Sequence, residues 1–520
     1  MASKRRKKAN KRPQGAGRRP GKRRKNAMEA PETSERPPGE LIDMAEAIRI
    51  LKTTRPTFYR WLRSGKVKGM KVGRQWRFYR EDVERFLKGE APRVDLPADI
   101  TPLIEALCKK AEELGVDTHT REDTSEVRRA VSLMIVLGAA MGASDIHISP
   151  HLAPDGTGSM VVLRYRVDGV LQSIATIDIR LLSAIVEDWK RMAACDIHEK
   201  ALPQDGRILI KRGDDLVDLR ASFLPAVLGE SLTVRILDRA AVDLKLDRID
   251  YAPHDREKLL QAVRSPWGVV LITGPTGSGK TTVLYACINE LDSEKIKIMT
   301  VEDPVEFYLR GAVQVAVREK EGMTFERAVR AMLRSDPDVL LVGEVRNRET
   351  LYAVVQSALT GHLVMTTLHA DEAARGLVRM VDIGVDPFVV AEATKLVMSQ
   401  RLVRMSCPVC SVADKPDAHR LDLAAELARK GGLEWHSLEP TWRKAVGCGK
   451  CGHTGYRGRT VVAEMLEVTP EIGKALRDGA SVDDLRRIAV EQGMTTMAAD
   501  GIRRAARGET TLDEVMRVVG

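Results

Sequence analysis

Residues 274–282 read Gly274-Pro275-Thr276-Gly277-Ser278-Gly279-Lys280-Thr281-Thr282, and this motif is the most informative feature of the sequence. It fits the phosphate-loop pattern G-x-x-x-x-G-K-[ST] at every fixed position. The apolar run at 268–273 predicts a buried strand before it, and a helical pattern begins at Lys280. Glycines let backbone N–H groups surround phosphates, and the helix N-terminus adds positive potential. We therefore predict that these nine residues bind a nucleotide, with Lys280 at the β- and γ-phosphates and Thr281 on Mg²⁺.

The chain has 520 residues, too many to form a single hydrophobic core, and changes in composition divide it into segments. The predicted segments are a disordered basic arm (1–39), a small module of helices and a hairpin (40–89), a linker with one short helix at 103–114 (90–125), an α+β domain (126–240), the phosphate-loop domain (241–405), a cysteine-bearing element (406–460) and a helical region with caps at Ser481 and Thr510 (461–520).

The basic charge of the chain is confined to its first part. The formal net charge is +10, but the first 89 residues carry +18 and residues 90–520 carry −8. A polyanionic partner is therefore expected only for the first part. The arm at 1–39 is either a solvated tail or an attachment to nucleic acid or anionic lipid.

The apolar runs are too short for a membrane span. The longest, at 130–143, has 14 residues, whereas a spanning helix needs about 20. The N-terminus has no apolar segment typical of a secretory signal. The expectation is a cytoplasmic protein.

Three further apolar strands end in, or are flanked by, residues suited to nucleotide chemistry. They lie at 298–302, 338–343 and 363–368. Ligands bind at the carboxyl ends of strands in an open α/β sheet. Carboxylates there hold Mg²⁺ or orient the attacking water, and histidines sense the γ-phosphate or move protons. The candidate residues are Glu302, Asp303, Glu306, Glu344, His362 and His369.

Four of the seven cysteines form two C-x-x-C pairs. Such pairs favour metal binding in a reducing compartment over disulfides. Four thiolates in tetrahedral reach make a structural Zn²⁺ site, here with a helix near 421–429 inserted between the pairs. The predicted ligands are Cys407, Cys410, Cys448 and Cys451. The other cysteines, Cys108, Cys195 and Cys287, lie in helical apolar patterns and are expected to be buried.

The module at 40–89 resembles the excisionase/MerR-type winged helix-turn-helix. Its first helix, the turn at 53–56, the short helix that begins near Pro56 and the hairpin around Gly73 carry the resemblance. The resemblance implies a helix in the major groove of DNA and a wing at 71–77 against phosphate. Residues near DNA would be Arg55, Thr57, Tyr59, Arg60 and Arg63. A protein-interaction module of the same fold is the alternative.

Residues 126–520 resemble the secretion ATPase superfamily, the motors of type II secretion and type IV pilus assembly. The family's Walker A, aspartate, Walker B and histidine boxes appear in order as GPTGSGKTT, TVEDPVE, DPDVLLVGEVR and LTGHLVMTTLH. The stretches ASDIHIS at 143–149 and DLRASFLP at 218–225 match the family's N-terminal domain.

The resemblance implies the fold and the activity. The fold is α/β: a RecA-like P-loop ATPase domain preceded by an α+β, PAS-like domain and the winged helix-turn-helix module, with a four-cysteine zinc element. The activity is ATP hydrolysis with Mg²⁺ in a homo-hexamer, where ATP lies between the two domains. The ring would power pseudopilus or pilus assembly through an inner-membrane platform protein, peripheral to the inner membrane. The cysteine element implies assembly or secretion rather than retraction.

The resemblance also implies residue roles. Glu344 is the catalytic glutamate, Lys280 and Thr281 bind phosphate and Mg²⁺, and Asp303 supports the metal. The remaining catalytic candidates are Glu302 and Glu306 near the metal and water, His369 at the γ-phosphate, and Arg220 and Arg235 reaching ATP across domains or subunits. The helix-turn-helix module departs from the family, so a nucleic-acid-directed motor or regulator is the alternative function. The intact acids disfavour a regulator that binds ATP without hydrolysing it.

Overall fold

The computed structural model forms two units, divided between Asp95 and Leu96. The residues it describes are 41–63, 67, 70–72, 75–87, 99–116, 125–152, 158–212, 215–238 and 245–520. In this described part, every helix is too short or too polar to cross a membrane. The predicted basic arm at 1–39 lies outside the described residues.

The described part of the first unit is a small sheet with helices. Its elements are β1 (Leu41–Asp43), α1 (Met44–Ile50), α2 (Arg55–Arg63), β2 (Met70–Val72), β3 (Gln75–Tyr79) and α3 (Arg80–Leu87). Strand β3 pairs antiparallel with both β1 and β2, so the predicted hairpin forms. Phe58 of α2 meets Phe78 of β3 edge to face, with ring centroids 5.1 Å apart. The turn at Gly73 and the side chains of Arg60 and Arg63 lie outside the description.

The second unit begins with an α+β domain. Its elements are α4 (Thr101–Glu113), α5 (Glu126–Ala140), β4 (Ala143–Leu152), β5 (Ser159–Val167), β6 (Val170–Asp178), α6 (Leu182–Met192), β7 (Gln204–Arg212), β8 (Asp215–Ala226) and β9 (Gly229–Asp238). The six strands form an antiparallel sheet in the order β6-β5-β4-β9-β8-β7. Trp189 of α6 is fully buried in the core.

Helix α4 lies in the segment 90–125, for which a linker with one short helix is predicted, and it packs into the core of this domain. Leu103, Leu107 and Ala111 recur every four residues and form one apolar face. All three are buried in the same core as Met134 and Trp189. The helical pattern was predicted, but its burial depends on a partner surface far along the chain.

The phosphate-loop domain is built on a seven-stranded sheet. Its elements are α7 (Pro253–Val263), β10 (Gly268–Thr273), α8 (Lys280–Asn289), β11 (Ile298–Glu302), β12 (Ala312–Ala316), α9 (Phe325–Met332), β13 (Val339–Val342), α10 (Arg348–Leu359), β14 (Leu363–Leu368), α11 (Ala373–Asp382), α12 (Pro387–Ala393), β15 (Thr394–Ser406) and β18 (Tyr456–Glu467). The strand order is β12-β11-β13-β14-β10-β15-β18. Every residue of β10, β13 and β14 is buried, because helices cover both faces of a parallel sheet.

The last strand of that sheet comes from beyond residue 405. Strand β18 pairs antiparallel with β15, whereas the other pairs are parallel. The sheet therefore includes residues from both sides of the predicted boundary at 405. Between β15 and β18 lie β16 (Val412–Ala413), α13 (Ala418–Lys430) and β17 (Arg443–Lys444). Helix α13 covers the predicted insertion near 421–429.

Four helices follow β18. They are α14 (Pro470–Arg477), α15 (Val482–Glu491), α16 (Met497–Ala506) and α17 (Leu512–Val519). Ser481 caps α15 as predicted, by accepting from the Asp484 N–H. The predicted cap at Thr510 is wrong by one residue, because Thr511 caps α17. The Thr510 hydroxyl instead donates to the Arg404 carbonyl at 2.7 Å.

Glu514 ties α17 to the sheet through buried charge. Its carboxylate lies 2.6 Å from Arg404 of β15 and 2.6 Å from Arg517, and the residue is 1 % exposed. Burial alone would raise the pKa of Glu514, but hydrogen bonds from Arg517 and Arg404 outweigh it and lower the pKa from 4.5 to about 2. A carboxyl whose pKa is depressed by folding stabilises the fold above its unfolded pKa and loses that contribution as the pH falls toward the folded value.

Replacing this carboxylate is expected to destabilise the second unit. At pH 7 the Glu514→Gln variant loses about 3 kcal/mol, the equivalent of the depressed pKa. The Tm difference from the parent should be largest at pH 7 and shrink as the pH falls from 4.5 toward 2. Glu491→Gln is the control, because its pair with Arg487 is exposed and contributes little. A Tm difference that does not change with pH would contradict this account.

Candidate nucleotide and metal sites

The phosphate loop joins β10 to α8. Gly274, Gly277 and Gly279 have φ angles of 143°, 80° and 87°, a region that glycine adopts at little cost. A Cβ atom on Gly274 would lie 2.5 Å from the Gln400 carbonyl oxygen and 2.6 Å from the Ser278 hydroxyl. The glycine is therefore required by close packing as well as by backbone conformation.

Lys280 lies at the first position of α8 and turns back over the loop. Its Nζ donates to the Gly274 carbonyl at 2.8 Å and to the Pro275 carbonyl at 2.9 Å. Burial lowers the pKa of Lys280, while the nearby negative charge of Glu344 opposes that shift. The loop lysine and Glu344 are therefore close enough to interact electrostatically.

The side chain of Gln400 on β15 is hydrogen-bonded to the phosphate loop, and sequence reasoning did not identify this residue. The side chain is 1 % exposed, and its Nε2 donates to the Ser278 carbonyl at 2.7 Å. Its Oε1 accepts from the Tyr251 hydroxyl at 3.1 Å. An uncharged glutamine within an apolar strand pattern was the available signal, since a buried amide needs partners.

Parallel pairing brings the predicted acids to one edge of the sheet. Strand β13 lies between β11 and β14, and all three end on the same side. Arg346, just after β13, pairs with Glu344 and lies 3.4 Å from Asp303. The His369 Nε2 lies 3.9 Å from the Glu344 carboxylate. Asp303 and Glu344 therefore share Arg346, and His369 lies beside Glu344.

Two other candidates are bonded to residues outside this cluster. His362 is at the opposite end of β14, where its ring bonds the Ser357 carbonyl at 2.9 Å. Its predicted place at the site is therefore wrong. Glu302 is 3 % exposed, and its carboxylate accepts from Thr300 at 2.6 Å, from Gln314 at 3.1 Å and from the Tyr285 hydroxyl. Three side chains thus occupy its oxygens.

The two arginines of the α+β domain have different partners. Arg220 of β8 reaches the loop after β11, donating to the Val305 carbonyl at 3.3 Å and lying 3.8 Å from Glu306. Arg235 of β9 stays within its own domain and donates to Asp145 at 3.1 Å. The structure therefore brings Arg220 to the loop after β11, and holds Arg235 on a buried carboxylate.

The four predicted cysteine ligands converge. Their Sγ atoms all lie within 4.8 Å of one another, and Cys451 is 3.8 Å from both Cys410 and Cys448. Four sulfurs placed tetrahedrally at about 2.3 Å from Zn²⁺ are about 3.8 Å apart. Burial would raise the pKa of Cys451, but N–H groups of Cys448 and Gly455 donate to its sulfur and lower the pKa to about 6. The donor set fits zinc.

A family model described as type II/IV secretion system protein matches residues 120–517. The chain belongs to this family. A helix-turn-helix domain model matches residues 41–91. The family recognised from the sequence boxes, the helix-turn-helix module, the mixed α/β fold and the ATP hydrolase class are confirmed.

Several named proteins are similar to this secretion ATPase. The type II secretion system protein HxcR of Pseudomonas aeruginosa is 42% identical over 402 residues, which cover 77% of this chain and 79% of that protein. The type II secretion system protein E of Aeromonas hydrophila is 39% identical over 410 residues, 78% of this chain and 79% of that one. The type IV pilus assembly ATPase PilB of Thermus thermophilus is 38% identical over 440 residues, 82% of this chain but 48% of that protein.

The fold also occurs in a solved structure of low sequence identity. The ATPase DotB of Legionella pneumophila superposes with a TM-score of 0.55 at 20% identity, covering 75% of this chain and 94% of that one. This similarity supports the fold alone.

The cysteine cluster should bind one zinc ion per chain. We expect about one zinc in the purified secretion ATPase and almost none in the Cys448→Ser/Cys451→Ser variant, because two thiolates cannot close a tetrahedral site. Metal content measured by plasma mass spectrometry tests this. Cys108→Ser is the control, since Cys108 lies in α4 and outside the cluster. Zinc retained by the double variant, or absent from the parent grown with zinc, would contradict the assignment.

Proposed function

We propose that this secretion ATPase works as a homo-hexameric ring in the cytoplasm, peripheral to the inner membrane. The ring hydrolyses ATP to power type II secretion pseudopilus or type IV pilus assembly through an inner-membrane platform protein. One observation carries the proposal: Arg220 of the α+β domain contacts the same loop whose first residue, Asp303, joins the Arg346–Glu344 cluster. In this proposal, the contact links movement between the α+β domain and the phosphate-loop domain to ATP hydrolysis.

The phosphate loop binds the triphosphate in this proposal. Backbone N–H groups of residues 274–282 surround the phosphates, and Lys280 exchanges its loop carbonyls for phosphate oxygens. Thr281 and Asp303 would hold Mg²⁺, which when bound would offset the charge of the phosphate oxygens. Glu344 orients the attacking water and accepts its proton, since its carboxylate follows β13 and is close to Lys280.

The remaining candidates divide into contact and support roles. His369, beside Glu344, contacts the γ-phosphate. Glu306 pairs with Arg220 and takes part in domain contact. Glu302 positions the start of the loop after β11 rather than acting on the nucleotide, because its oxygens already accept three hydrogen bonds. Arg235 reaches ATP after it leaves Asp145.

The cysteine element supports assembly or secretion over retraction within this proposal. It fits Zn²⁺ with four thiolates and no open coordination position, so its role is structural. Several relatives with the same span of similarity are named for type II secretion.

Replacing Glu344 by Gln tests the catalytic assignment. Turnover should fall at least about 100-fold because the general base is lost, while ATP binding stays within a few-fold. Phosphate release and binding of a fluorescent ATP analogue measure the two properties. The ATP-bound variant should have the mass of six chains by light scattering.

The matched control is Glu349→Gln, an exposed carboxylate in the first turn of α10. It should leave turnover unchanged. Normal turnover in the Glu344→Gln variant would remove the catalytic role of Glu344, and a monomer under all nucleotide conditions would remove the ring.

A nucleic-acid-directed motor or regulator is the second candidate. The helix-turn-helix match and the composition of α2, which has three arginines and no acidic residue, favour it. If it holds, duplex DNA binds with an affinity that falls steeply with salt, and DNA raises ATP turnover. Arg55→Ala should weaken this binding, whereas Arg49→Ala on α1 is the control. Absence of DNA binding at low salt would remove this candidate.

A further inference from the structure

We propose that Gln314 is a positioning residue of the ATPase reaction. Its side-chain amide fixes the segment 303–311, called here the acidic loop, between the α+β domain and the catalytic acids. This inference rests on the proposed function, because it concerns the same site.

The amide of Gln314 bonds the acidic loop at two points and the strand before it at a third. Its Nε2 donates to the Phe307 carbonyl at 3.0 Å and to the Glu302 carboxylate at 3.1 Å. Its Oε1 accepts from the Leu309 N–H at 2.8 Å. One side chain on the edge strand β12 therefore fixes the middle of the loop to the end of β11.

The strand end to which Gln314 is attached is held by several contacts. Gln314 stands beside Thr300 in the parallel pairing of β11 and β12. Thr300 and Tyr285 both donate to Glu302, which is buried. The Tyr285 ring also meets the Phe307 ring edge to face, with centroids 6.2 Å apart. Gln314 thus links the position of the loop to that of the Glu302 carboxylate.

The functional contacts of the acidic loop all lie between Glu302 and Phe307, two of the residues that Gln314 bonds. Arg220 bonds the Val305 carbonyl and lies near Glu306. Asp303 lies near Arg346, which pairs with Glu344. A push from the α+β domain at Val305 therefore moves Asp303 by an amount that depends on how firmly the rest of the loop is held. Without Gln314, the loop absorbs that motion.

Gln314→Met tests this role, because methionine has a similar length and volume but makes none of the three hydrogen bonds. Turnover should fall roughly 10- to 100-fold, as expected when catalytic groups are misplaced by about an ångström. The affinity for a fluorescent ATP analogue should change less than about 2-fold, since the phosphate loop is untouched. A residue that only stabilises the fold would lower Tm without separating turnover from binding.

Val313→Met is the matched control. Val313 is on the same strand, 51 % exposed, and its side chain points to the opposite face. It should keep the parent's turnover and affinity.

A double-mutant cycle with Arg220→Met identifies the path. If both residues act through the acidic loop, turnover in the double variant falls less than the product of the two single effects. The proposal is overturned if the loss of turnover in the double variant equals the product of the two single losses. It is also overturned if the turnover of Gln314→Met is within about 2-fold of the parent.

Two further outcomes separate the role of Gln314 from folding and from the proposed function. If Gln314→Met does not assemble, Gln314→Asn replaces it in the test, because its amide is too short to make all three bonds. This variant should show the same loss of turnover with preserved ATP affinity. A normal turnover in Gln314→Asn overturns the proposal. If the parent itself releases no phosphate under conditions that allow rings to form, the proposed function fails first. If the parent and Gln314→Met are both fully active, only the positioning role of Gln314 is refuted, and the proposed function stands.

Discussion

The parallel register of the central sheet is the constraint on which the nucleotide site depends. Strands β10, β11, β13 and β14 all run in one direction, so each ends at the same edge. That edge receives the phosphate loop from β10 and carboxylates from β11 and β13. None of these groups is near another in sequence, and a slip of one residue would reverse which side chains face each side of the sheet.

Charge balance at that edge depends on few groups. Asp303 and Glu344 are both acidic and both face the place where phosphates are proposed to bind. Arg346 pairs with each of them, which reduces the repulsion between the two carboxylates. Lys280 adds a second positive group and is partly desolvated. Two negative and two positive groups therefore meet at this edge. A metal ion or an arginine from another domain would change this nearly even balance of charge.

Local pattern was sufficient for the parts of the fold that depend on local chemistry. The phosphate loop, the strand ends and the cysteine pairs are short motifs, and the structure gathers Asp303, Glu344 and His369, and separately the four cysteines, as the motifs indicated. The sequence did not separate Glu302 from its acidic neighbours, because the difference lies in hydrogen bonds from Tyr285 and Gln314. The burial of α4 and the support by Gln400 also depend on partners distant in the chain.

The cysteine element occupies an unusual place in the chain. Ser406 at the end of β15 is paired with Tyr456 at the start of β18, so the whole segment 407–455 leaves and re-enters the sheet between two adjacent strands. Adjacent strands are about 4.8 Å apart, and closing a chain between such near ends costs little more entropy as the chain lengthens. The hairpin formed by β15 and β18 is thus a place where the cysteine element can change in length while the pairing of the two strands stays the same.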